Sequence, residues 1–253
     1  MLMTIQWQNS EANMTEPTNT DATPPSADTS EAVEATPVLT KGEELSALEL
    51  GALLCSRVCH DVISPVGAIS NGLEVLDEDD DAEMHVHAMD LIKQSAKQAS
   101  AKLQFARLAF GAAGSAGAHL DLMDAKSVAE ALMDCEKPEM NWSGPVVTLP
   151  KDMIKLLLNM ILIGISAIPR GGVIDVAITG AAESPTFMIK STGRGARVPV
   201  EVEQYIQGRQ NDDTLDARAV QPYFTGLVAR SIGYPLHANM LDECFVFVAG
   251  PDS

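Results

Sequence analysis

Ten apolar residues between Leu45 and Leu76 recur at alternating spacings of three and four. Leu45, Leu48, Ala52, Cys55, Cys59, Val62, Val66, Ile69, Leu73 and Leu76 make a heptad seam of about four and a half repeats, a period that a helix satisfies and a strand does not. The spacing predicts one long helix over about 43–77. Pro65 lies inside it, removes one backbone hydrogen bond and favours a kink there. The run Asp77-Glu78-Asp79-Asp80-Asp81 reads as a solvated turn, unfavourable at the end of the first helix and favourable at the start of a second. That second helix is expected over about 82–112, with Ala88, Ile92, Ala96, Ala99, Leu103, Ala106 and Phe110 as its apolar face. Two helices with narrow seams cannot enclose a core alone. Pairing with a second copy into a dimeric four-helix bundle is the simplest completion.

The flanking segments differ in character. Residues 1–40 carry six acids, four prolines and neither Lys nor Arg, with no apolar periodicity, and are expected to be a disordered acidic tail. The hairpin domain then occupies 41–112. The glycine-rich run from Gly111 to Gly117 marks a joint, so 113–118 is a linker and 119–253 a second domain. There the pattern changes to α+β. Helices are expected at Ala125–Cys135 (capped by Asp124), Asp152–Ala167, Val200–Gln207 and Phe224–Ser231. Strands are expected at Pro145–Leu149, Val173–Thr179 and Pro185–Lys190, with Asn211–Asp216 a polar loop and a closing hairpin of Leu236–Leu241 and Phe245–Val248. The apolar stretch Met153–Ile168 is broken by Lys155 and Asn159 and falls short of the ~20 residues of a membrane span, so it reads as a buried helix.

Composition narrows the function classes. Of 253 residues, 46% are hydrophobic but only 4% aromatic, so the core must be aliphatic. Lys and Arg number 17 against 35 Asp and Glu, a net charge of −18. Such a surface repels nucleic acid and anionic membranes alike, which leaves other proteins as the expected partners. Cys55, Cys59, Cys135 and Cys244 are too few and too scattered for a disulfide framework or zinc finger, and read as buried thiols in a reducing cytoplasm. The N-terminus lacks a basic region followed by an apolar run, so no secretory leader is expected.

The chemistry concentrates around His60. Cys59 lies on the seam, which puts His60 just outside it. Its neighbours one turn away are Ser56, Arg57, Ser64 and Gly67, with Leu53 and Asn71 a turn further, a low and mostly polar face that suits a nucleophile attacking another macromolecule. His85, His87, His119 and His237 lack such a setting, and no two of the five histidines share i, i+4 spacing, so no metal site is expected.

His60-Asp61-x3-Pro65 resembles the H box of histidine-kinase dimerisation and phosphotransfer domains. The wider run CSRVCHDVISPVGAISNGLEVL is most similar to the ChpT-type histidine phosphotransferases of alphaproteobacteria, a likeness extending over about 45–250. The resemblance implies that 119–253 has the α/β sandwich of a kinase ATPase (Bergerat-type) domain in degenerate form. Asn159 matches the first of two helix asparagines, but Ile163 stands where the Mg²⁺ ligand belongs. Ser191-Thr192-Gly193-Arg194-Gly195 keeps both glycines, Gly193 and Gly195, yet has Ser for the adenine-reading Asp, and only Gly226 remains of the last phosphate-binding segment. ATP is therefore not expected to bind, and the two glycines read as a turn between strand and helix.

Without ATP the phosphoryl group must come from a partner, and the resemblance implies an aspartyl phosphate on a receiver domain as donor. The implied roles are His60 as phosphoacceptor, Asp61 orienting its imidazole, and Arg57 steadying the transferring oxygens. Leu53, Ser56, Ser64, Gly67 and Asn71 would form the docking face, with Mg²⁺ on the receiver and no cofactor here. The resemblance also implies the partners: the receiver of a hybrid histidine kinase, and response regulators like CtrA and CpdR. Two other readings fit the same residues: an orphan histidine kinase with a divergent, working ATP site, and a noncatalytic docking scaffold.

Overall fold

The computed structural model describes residues 45–78, 81–111, 119–207 and 215–251. The expected acidic tail (1–40), the linker (113–118) and most of the loop 211–216 lie outside them. The hairpin and the sheet belong to one unit, residues 38–253.

Helix α1 spans Ala47–Glu78 and runs unbroken through Pro65; α2 spans Ala82–Ala109. Asp81 caps α2 by accepting from Glu83 N at 3.0 Å. The two helices pack through small residues. A Cβ on Gly72 would lie 2.7 Å from Ile92 Cγ1 and 3.2 Å from the Ala88 carbonyl oxygen, so this glycine sets how closely the helices approach.

The heptad seam is not the face that closes this hairpin. Only Pro65 and Gly72 of α1 are buried, whereas Leu48, Val66, Leu73, Ala52, Cys55 and Cys59 are exposed. On α2, Ala96 and Leu103 are likewise exposed. Ser95 and Ala101 are buried in their place, as are Phe105 and Ala109, which join the core of the sheet domain. Cys55 and Cys59 are thus not buried thiols in the single chain, unlike Cys244.

Beyond the hairpin come β1 (His119–Asp121), α3 (Leu122–Met133), β2 (Glu139–Ser143), β3 (Thr148–Pro150), α4 (Lys151–Ala167), β4 (Val173–Ala181) and β5 (Ser184–Thr192). The chain ends with α5 (Val200–Tyr205), α6 (Val220–Ser231), β6 (Leu236–Leu241) and β7 (Cys244–Ala249). Five strands form a mixed sheet in the order β2-β4-β5-β7-β6, with β2 parallel to β4 and the rest antiparallel, while β1 and β3 pair separately. This is the expected helical hairpin followed by helices on a mixed sheet.

Three local expectations are corrected. Asp121, not Asp124, caps α3: its backbone is extended and its side chain accepts from Met123 N at 2.8 Å. The segment Pro145–Leu149 yields only the short β3, and β2 lies upstream where Glu139, Asn141 and Ser143 face outward from a sheet edge. Helix α6 begins at Val220, earlier than Phe224, because Asp216 Oδ1 caps the preceding turn by accepting from Arg218 N and Ala219 N at 2.8 Å each.

The apolar helix α4 fills the centre. Leu156, Leu157, Leu158, Met160, Ile161 and Ile163 are all fully buried against the sheet and α3. Burial of this kind stabilises by about 1.5–3 kcal/mol per side chain.

Candidate functional site

Two sets of contacts hold the hairpin against the α/β layers and so place His60. At the start of α1, Leu45, Leu50, Leu53 and Leu54 pack on Tyr205, Leu215, Val220 and Tyr223, and Leu45 N donates to the Tyr223 hydroxyl at 3.1 Å. Leu53 therefore belongs to this internal packing rather than to an open docking face. Further along, Lys97 pairs with Asp134 at 3.0 Å and Lys102 approaches Glu136 at 3.9 Å, linking α2 to the end of α3. Hydrogen bonding to Asp134 holds the Lys97 ammonium pKa above its usual value. The pair is exposed, so it orients more than it stabilises.

His60 emerges from α1 with its side chain 65% exposed, the exposure an attacking imidazole needs. Its Nδ1 stands 3.4 Å from Asp61 Oδ1, a long contact. The other carboxylate oxygen, Oδ2, accepts from Arg57 Nε at 2.8 Å. Asp61 thus reaches back along the helix and links its sequence neighbour to the residue one turn earlier. A carboxylate can only accept, so a hydrogen bond here requires the proton on Nδ1, the tautomer whose Nε2 lone pair is free. Arg57 is engaged with Asp61 in this arrangement.

Ser56, Ser64, Gly67 and Asn71 are exposed on the same helix. A Cβ on Gly67 would meet nothing within 4 Å, so this glycine is not required by packing. On its other side His60 borders a cleft of about 600 Å³ between α1 and the α/β layers. Arg57 and Asp61 line the near wall, Leu162 and Ser166 the floor, and Arg218 and Gln221 from the α6 region the far wall. The sequence reading missed this far wall. Arg218 and Gln221 have no motif around them, and only the fold brings them opposite His60.

The residues likened in sequence to nucleotide motifs lie in or against the core. Asn159 is fully buried; its Nδ2 donates to the carbonyls of Ala109 and Lys155 at 2.9 Å each. Gln221 Nε2 donates to the Asn159 carbonyl at 2.9 Å and faces Asn159 Oδ1 and Thr225 Oγ1 at 3.3 and 3.2 Å. Asn159 thereby anchors a buried polar link from α2 through α4 to α6. Ile163 and Ser191 are fully buried, and Ser191 Oγ has no hydrogen-bond partner among the described residues. Gly193 abuts the Gly171 carbonyl and Gly226 abuts the Ile206 carbonyl, each so closely that a Cβ would not fit. Gly195 adopts φ +76° in the turn after β5, the glycine role expected there. Among the described residues no group of three or more His, Cys, Asp or Glu side chains could hold a metal ion.

Known proteins give this arrangement its family. The model of the histidine phosphotransferase C-terminal domain matches residues 122–243. The protein phosphotransferase ChpT of Brucella abortus (strain 2308) is 53% identical over 205 residues, 81% of this chain and 97% of that protein. The chain belongs to the ChpT family of protein phosphotransferases. A bacterial phosphotransferase solved at 1.7 Å superposes with a TM-score of 0.77 and 49% identity, over 83% of this chain and the whole of that one. The likeness to ChpT proteins found in the H-box run is thereby confirmed, and it extends through the hairpin and the sheet.

Proposed function

We propose that this chain is a histidine phosphotransferase that takes a phosphoryl group from the receiver aspartate of a hybrid histidine kinase, holds it on His60 and passes it to response-regulator receivers of the CtrA and CpdR kind. The observation that carries the reading is the triad on one helix. Arg57 fixes Asp61, Asp61 accepts from Nδ1, and the opposite nitrogen of an exposed His60 faces open space beside a cleft. Nε2 attacks phosphorus in line while the aspartyl oxygen departs, and Asp61 offsets the charge that develops on the imidazole. Phosphohistidine and acyl phosphate both have high transfer potential, so the relay runs in either direction.

The reading assigns no ATP to the α/β domain. Asn159 is engaged with backbone carbonyls, Ile163 offers no oxygen to Mg²⁺, and backbone packs against Gly193 and Gly226 where phosphates would approach. Mg²⁺ belongs to the receiver. Helix α1 is long and apolar enough to cross a membrane by length and composition alone. Arg57, His60 and Asp61 at mid-helix would make that costly, and we assign its exposed apolar stripe to a second copy of the chain.

The deciding experiment is a radiolabel chase from a phosphorylated receiver onto the wild type and His60→Ala. Acid-labile label is expected on the wild type alone; label persisting on His60→Ala overturns the assignment. Calorimetry with Mg·ATP is expected to show no binding at millimolar nucleotide, and a micromolar, Mg²⁺-dependent Kd would restore the kinase reading.

A further inference from the structure

Arg57, the arginine nearest His60 on α1, is held through Nε by Asp61 Oδ2 at 2.8 Å, which commits part of its guanidinium to positioning that carboxylate. In transfer between two nucleophiles the phosphoryl oxygens carry the negative charge, and a cation beside the path stabilises it. The cleft beside His60 contains a second cation. Arg218 is exposed on the far wall, and among the described residues its guanidinium makes no ion pair or side-chain hydrogen bond. Two further carboxylates line this wall. Asp216 closes the turn before α6 through the backbone N–H groups of Arg218 and Ala219, and Glu201 stands at the start of α5. With these acids present the cleft is no general sink for anions. Of the two arginines lining it, Arg218 is the one whose guanidinium has no carboxylate partner among the described residues.

Its backbone is well fixed. The Asp216 cap holds Arg218 N, and one turn later Gln221 is bonded to Asn159, which is bonded to the end of α2. Tyr223 ties the same helix to the start of α1. This buried link therefore fixes the segment that brings Arg218 into the cleft bordered by His60.

Resting on the reading of His60 as phosphoacceptor, we propose that Arg218 is a catalytic residue supplied by the α/β domain, contacting the non-bridging oxygens of the phosphoryl group as it passes to or from His60. In that step the Nε2 lone pair forms the N–P bond, the P–O bond to the aspartyl carboxylate breaks, and its electron pair leaves with the carboxylate. The Nδ1 proton stays against Asp61.

The test uses the full chain with two donors: a radiolabelled phosphorylated receiver, and labelled phosphoramidate as a small donor lacking any docking surface. Arg218→Ala is expected to lower the saturating transfer rate by roughly 10²-fold with both donors, the size of effect seen when one preorganised charge-stabilising group is removed. The receiver concentration at half-saturation should change little. Arg218→Lys should recover part of the rate, because charge is kept and the planar fork is lost. Circular dichroism should match the wild type for both variants, since the side chain is exposed and the cap uses backbone. An unchanged saturating rate overturns the proposal. So does a loss confined to the receiver and carried by half-saturation, which would place Arg218 in docking. If the wild type takes no label, or label survives His60→Ala, the phosphotransfer reading fails first and the proposal with it; a defect confined to Arg218 variants cannot arise that way.

Discussion

Asp61 is the residue whose role was least readable from spacing. Adjacent helical positions diverge by about 100°, so the Asp61 carboxylate must bend back or act through water to orient His60. The structure shows the carboxylate folded back, held there by Arg57 at 2.8 Å. Asp61→Asn keeps the shape but turns one acceptor into a donor that must face either Arg57 or His60. Transfer at saturating phosphorylated receiver is expected to fall by up to ~10²-fold, the range of a lost acid–base or orienting group. An unchanged rate removes Asp61 from the chemistry. Two glycines on the same helix make a second residue-scale contrast that sequence alone could not draw. Gly67 opens on solvent and Gly72 on Ile92. Gly67→Gln should hold or gain about 0.5–1 kcal/mol of stability while receiver transfer falls through steric exclusion. Gly72→Ala should lose about 1–3 kcal/mol by pushing the hairpin apart. Denaturation and transfer measured on both variants separate docking from packing; wild-type transfer by Gly67→Gln would show that receivers do not dock on this face.

Among the elements, α1, α2, α4 and the β4, β5, β6 and β7 strands were legible because each carries a long periodic pattern or a clear turn signal. The errors fell where tertiary pairing decides. The β1–β3 ladder sets Asp121 opposite Thr148, which ends the strand there and makes Asp121 the cap of α3, and β2 is a short edge strand with little apolar character. The resemblance likened Asn159 to one of two helix asparagines but did not say what it does in this fold. Its bonds to Ala109 O and Gln221 exist only once α2, α4 and α6 are packed together. Asn159→Ala leaves the buried Ala109 carbonyl without that donor. Global stability is expected to fall by about 1–3 kcal/mol in urea, and hydrogen exchange should accelerate at the end of α2 and the start of α6. Unchanged exchange at both would mean that the polar link does not hold these elements together.

For the whole molecule, the heptad run is the seam that the sequence pattern leaves to a second copy of the chain. Six of its ten residues lie exposed in a stripe on the outside of the hairpin. Leu48 is 84%, Leu73 51% and Val66 46% exposed, with Cys55 and Cys59 on the same stripe and Ile63 beside it at 71%. Apolar side chains in heptad register on a solvent face call for a second helix pair, and a copy of the same hairpin supplies one through a two-fold axis. Sedimentation is expected to give a homodimer. Leu73→Asp is the cleaner disruptor than any change at Val62, because Val62 is half-buried beside Phe105 and Ala106 while Leu73 touches little in its own chain. The charge would face its own copy across the axis, where burial without a partner costs several kcal/mol. The variant should sediment as a single chain with unaltered circular dichroism. Because the cleft that holds Arg57, His60, Asp61 and Arg218 is built from one chain, this monomer should still accept phosphate at close to the wild-type rate. A wild type that sediments as a monomer rejects the dimer. A folded Leu73→Asp monomer that takes no phosphate would mean that the second copy completes the site.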